Sequence, residues 1–162
     1  MKNSRDYYRF NDFTLVNYRN LLKLALENYE FAFFNEKFDF VNKTILLRHD
    51  LEFSVPIALK MAKIENSLGI RATYFIQLHG DFYNALEKRT FEQLKRIETL
   101  GHQLALHFDT HFWDIKREDQ LNEYLEIDKS TFEILFIFHP LEYLEIASSK
   151  FSLFSKTPFK TS

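Results

Sequence analysis

The chain has no cysteine, only three glycines and three prolines, and no excess of charge of either sign. Without cysteine there is neither a disulfide framework nor a thiolate zinc site, which leaves imidazole and carboxylate as the good metal ligands. A formal net charge of -2, with both signs spread along 162 residues, offers no basic footprint for nucleic acid or an anionic membrane. A neutral or mildly charged small substrate fits that balance better than a polyanion. No apolar run approaches the ~18 residues of a membrane span. The opening MKNSRDYYRFNDF is too polar and aromatic for a secretory h-region. No membrane span, no nucleic-acid partner and a cytoplasmic location are the resulting expectations.

What is present is apolar: 46% of residues are hydrophobic, enough for one domain with a real core. Two of the scarce glycines stand at equivalent places. Gly69 in ENSLGIRATYFI and Gly101 in RIETLGHQLALH each follow a helical pattern and precede an apolar run. That is the position of a residue just past a helix C-terminus, in left-handed conformation. Ser54 with Pro56 opens a helix whose Ile57, Met61, Ile64 and Leu68 share one face, and Thr90 with Gln93 has a capping-box pattern before another. An earlier helix is expected from about Thr14 to Tyr29.

Short apolar runs from Thr44 to Leu47, Ala72 to Leu78, Gln103 to Leu106 and Glu133 to Phe138 read as strands. With helices between them they are expected to lie parallel in an α/β domain spanning 1–148, followed by an irregular tail at 149–162. Each run ends in histidine: His49, His79, His107 and His139. Parallel α/β folds place their sites at the carboxyl ends of strands, so these imidazoles are expected at one rim. Asp50 and Glu52 follow the first run, and Asp109 stands between His107 and His111. Two carboxylates at one strand end can divide labour, one holding a metal and one serving as general base. His107 and His111 have the spacing of neighbours on one helical face. His102, at the opposite end of its strand, belongs with the scaffold.

The stretch ILLRHDLEFSVPIALKMAKIENSLGIRATYFIQLHGDFYN, followed by LGHQLALHFD, resembles the polysaccharide deacetylase superfamily, also called NodB-homology or carbohydrate esterase 4. The likeness is to the branch whose first motif is Arg-His-Asp-x-Asp, and it runs from about Thr14 to Trp113. The resemblance implies an incomplete (β/α) barrel of the NodB type and one divalent metal, best zinc. It also implies hydrolysis of an N-acetyl group on a sugar or polysaccharide precursor in surface-polysaccharide biosynthesis.

Carried over residue by residue, Asp50 is the catalytic base, and Glu52, His107 and His111 are the metal ligands. His139 is the candidate for the acid that protonates the leaving amine, and could equally match an earlier segment of this branch. Arg48, His49, His79 and Asp109 are expected around the substrate rim. The chain departs from the pattern by carrying Glu52 where the branch has Asp, a methylene that moves the carboxylate about 1.5 Å. It also has four recognisable strands, too few to close a barrel. The alternative is therefore a truncated, non-catalytic relative acting as a binding module. Either self-association through an open sheet edge or poor solubility is expected in both cases.

Overall fold

The computed structural model describes residues 10–37 and 43–137, which are mixed α/β with short parallel strands in open sheets. Among the described residues no barrel closes. A 3-10 turn at Phe10–Phe13 leads into helix α1, Leu15–Leu26, capped by Thr14, whose hydroxyl accepts from the Asn17 amide. Strands β1, Glu30–Phe31, and β2, Thr44–Ile45, form a two-stranded parallel ladder. A second sheet holds β3, Arg48–Leu51, β4, Thr73–Ile76, and β5, Gln103–Leu106, all parallel and in chain order. The run expected as one strand from Thr44 is thus split, and His49 and Asp50 lie inside β3 instead of after it.

Helices α2, Val55–Ser67, and α3, Lys88–Thr99, are the crossovers of two successive strand-helix-strand units, and they pack against each other. Gly69 and Gly101 carry φ of +71° and +88° just past these helices, as the sequence predicts. In α2 the amide of Ile70 reaches back to the Glu65 carbonyl, closing the turn that the left-handed glycine permits.

Two helical details differ from expectation. The cap of α3 is Glu87, whose carboxylate accepts from the Arg89 and Thr90 amides and from the Thr90 hydroxyl, so Thr90 lies within the first turn. In α2 the buried residues are Val55, Ala58, Ala62 and Glu65, while Ile57 is exposed. Ala58 and Ala62 are buried along one face, and Glu65 is drawn inward by partners described below.

The described chain falls into two compact units, one up to Phe112 and one from Trp113 onward. In the second, α4 spans Glu118–Phe132 and continues as a π-helical turn through Glu133–Ile137. This corrects the fourth strand. The run EILFI is apolar enough to serve as either element, and no glycine or proline precedes it to end the helix. Phe132 and Phe136, four apart, pack at 5.0 Å between ring centroids on the same helical face. The expected tail at 149–162 and His139 lie outside the described residues. Among those residues, no helix is long and apolar enough to cross a membrane.

Candidate functional site

Alternation along β3 sends successive side chains to opposite faces of the sheet. His49 and Leu51 face the crossover helices, in register with Tyr74 and Ile76 of β4. Arg48 and Asp50 face the other way, in register with Thr73 and Phe75. On this second face Phe75, Gln103 and Ala105 are half-buried, and Arg48 lays its guanidinium 4.0 Å from the centre of the Phe75 ring. Its Nε donates to Asp50 Oδ1 at 2.7 Å, which fixes the carboxylate and leaves Oδ2 toward the end of β5.

There the backbone amide of His107 donates to the Ile76 carbonyl, continuing the ladder one residue past β5. Its ring Nε2 stands 3.8 Å from Asp50 Oδ2 and 3.8 Å from Glu52 Oε1. The polar atoms converge without hydrogen-bonding. Two donors on one tetrahedral zinc, at bond lengths near 2.1 Å, stand about 3.4 Å apart, so this spacing is slightly wider than a metal edge. One imidazole and two carboxylates are the donor types that a divalent cation takes. His107 Nδ1 is buried with no hydrogen-bond partner.

The carboxylate strand end is held from the side by Tyr83. Its hydroxyl donates to the Leu51 carbonyl at 2.7 Å and accepts from the Gln77 amide at 3.0 Å, tying the exits of β3 and β4 together. Burial, opposed by the Gln77 bond and reinforced by the Glu52 charge, pushes the Tyr83 phenol up to about 12. It therefore stays a neutral donor at ordinary pH.

His111 is not part of this convergence. Its side chain is 98% exposed, with Nδ1 3.6 Å from Asp109 Oδ1. The segment after β5 is not helical. Asp109 Oδ1 accepts the amides of His111 at 2.9 Å and Phe112 at 3.4 Å, turning the chain where one helical face was expected. Among the described residues no three histidine, aspartate or glutamate side chains stand as a preformed metal cage.

Glu52, His107, Asp109 and His111 do line one cleft of about 390 Å³. His79 stacks on Phe112 at 3.9 Å and 8° and lines an adjoining cleft of about 560 Å³, again with Asp109 and His111.

His49 lines a different cleft, with Arg48, Asp50 and Glu52, and its ring points away from His107. Its Nε2 lies 2.8 Å from Glu65 Oε1, on the helix-covered side of the sheet. Glu65 is fully buried and accepts from Tyr18 at 2.5 Å and Tyr74 at 2.6 Å, with His102 Nδ1 3.5 Å away. Burial pushes its carboxyl up, but the bonds and charge from His49, with the two phenols, outweigh this and hold it below the usual carboxylate range. Burial, then the Glu65 charge, drives both phenols upward. His102 anchors the far side, donating Nε2–H to the Ala62 carbonyl at 2.9 Å. Sequence reasoning missed this cluster; its one signal was Glu65, placed seven and three residues after Ala58 and Ala62 on the face that packs on the sheet.

Comparison with protein-family models, curated proteins and solved structures finds no match to this chain.

Proposed function

We propose that the chain is a metal-dependent carbohydrate N-deacetylase of the polysaccharide deacetylase type. It would remove an acetyl group from an N-acetylated sugar in surface-polysaccharide biosynthesis. The observation that carries the reading is the approach of Asp50 and Glu52, from the end of β3, to one ring nitrogen of His107, from the end of β5. Its support in the fold is the succession of parallel strands in chain order with crossover helices in mutual contact, as in a sector of a (β/α) barrel.

Glu52 and His107 would hold the cation, with His111 turned in from its outward position on the shared cleft. A bound divalent metal, zinc by preference, supplies a Lewis acid that acidifies water and polarises the acetyl oxygen. Asp50, steadied by Arg48 on one oxygen, takes the proton of the attacking water on the other. The leaving nitrogen then requires a proton, the role proposed for His139.

Purified protein loaded with zinc should release acetate from N-acetylated oligosaccharides, and Asp50→Ala should abolish that release. Zinc uptake equal in the wild type and in a Glu52→Ala, His107→Ala double variant, with no acetate released by either, would refute the reading.

The outward His111 and the glutamate at position 52 favour a second reading: a non-catalytic relative that keeps the fold and binds sugar. It predicts glycan binding without acetate release. In both readings self-association through the β5 edge, where the sheet ends among the described residues, is checked by light scattering across a concentration series.

A further inference from the structure

Phe53 and Phe82 are the conspicuous apolar surface beside the converging carboxylates. They are 64% and 63% exposed, and their rings meet each other at 4.5 Å between centroids with a 48° tilt. Phe53 follows Glu52 directly in the chain, and both rings line the 390 Å³ cleft that holds Glu52 and His107. Phe108 adds a third ring, the remaining polar wall is Gln77, Asp81, Asp109, Thr110 and His111, and the cleft lining contains no lysine or arginine.

We infer that this aromatic pair is a stacking platform for an uncharged N-acetylated pyranose, seated so that its acetamido group reaches the Glu52 and His107 end. The inference rests on the deacetylase reading for the position of the acetyl group. It rests on the cleft alone for the sugar.

A pyranose has an apolar face of C–H bonds and a polar edge of hydroxyls. The phenyl faces match the first, while the planar carboxylates and amide of Asp81, Asp109 and Gln77 match the second by accepting from vicinal hydroxyls. A phosphate or sugar carboxylate in the same place would meet three carboxylates, Glu52, Asp81 and Asp109, against only the two imidazoles of His107 and His111 and no lysine or arginine, so the cleft disfavours anionic sugars. A product amine, once protonated, meets the same carboxylates as partners.

The test is a calorimetric titration of the full chain in EDTA with N,N′,N″-triacetylchitotriose, alongside UDP-N-acetylglucosamine and N-acetylneuraminic acid. The triacetyl sugar should bind, and the two anionic sugars should bind much more weakly. Because burying a phenyl ring is worth a few kcal/mol at most, Phe53→Ala or Phe82→Ala should weaken binding roughly tenfold, with Phe82→Tyr restoring it. Both rings are exposed, so the variants should keep the wild-type unfolding midpoint.

Absence of triacetylchitotriose binding overturns the inference. So does binding indifferent to both alanine variants, equal binding of the anionic sugars, or a Phe82→Ala effect seen only as loss of a dimer. Binding in EDTA by a protein that releases no acetate when zinc is restored leaves the platform standing and removes the deacetylase reading.

Discussion

His49 and Asp50 are neighbours on β3 that face opposite sides of one sheet, and the clusters they join are built on different terms. On the covered side, a fully buried Glu65 gathers His49, Tyr18 and Tyr74 at 2.5–2.8 Å, so that two strands and two helices meet at one carboxylate. On the bare side, Asp50 and Glu52 stop 3.8 Å short of His107 with their carboxylates partly in solvent. The first arrangement gives the buried Glu65 carboxylate three side-chain partners at hydrogen-bonding distance, leaving only His102 Nδ1 without one, and so serves the fold. The second leaves donor atoms facing a shared space, as a site that takes a ligand must.

The sharpest way to break the contrast is Glu65→Ala, which leaves buried imidazole and phenol donors without their acceptor. It should cost about 3–5 kcal/mol in urea unfolding, the range for breaking a buried charged pair. Acid provides a graded version. The folded Glu65 pKa lies below its unfolded value of about 4.3, so its contribution is complete above that pH and lost as pH falls through the folded value. A Glu65→Gln variant should show a shallower decline of stability between neutral and acid pH.

Tyr83→Phe tests the tie between the exits of β3 and β4. Losing the hydroxyl that bridges Leu51 and Gln77 should cost about 1 kcal/mol. It should also weaken zinc binding, because the strand end carrying Glu52 is released. The smallest stability effect belongs to His107→Ala at the open cluster, because the half-buried ring has no hydrogen-bond partner on Nδ1 and stands 3.8 Å from its acidic neighbours; its loss should cost less than that of the Tyr83 hydroxyl. Zinc uptake, followed by metal analysis after dialysis, should be lost in the same variant. A His107→Ala protein as destabilised as Glu65→Ala would erase the contrast.

Where one local constraint decides the structure, it was legible in the sequence. Gly69 and Gly101 mark helix ends because only glycine takes their positive φ readily, and β5 emerges with its expected bounds. That Asp50 and Glu52 would lie near His107 could be anticipated because parallel strands deliver their carboxyl ends to one edge.

His111 could not be placed, because a four-residue spacing implies neighbours only on a helix, and the Asp109 side chain captures the following amides first. The EILFI run followed the helix before it for want of a stop signal. The Glu65 cluster was invisible because its members come from Tyr18, His49, Tyr74 and His102, far apart in the chain. Nothing in a local window joins them.

The register of β3 ties these two fates together. His49 pairs with Tyr74 and Asp50 with Phe75, so a shift of one position would turn the acid into the interior and the imidazole to the open face. A single-residue insertion or deletion that shifted this register would therefore damage the buried cluster and the proposed site in the same stroke. The surface of this site is open to change by substitution, whereas the length of the segment that delivers it is fixed by the core behind it.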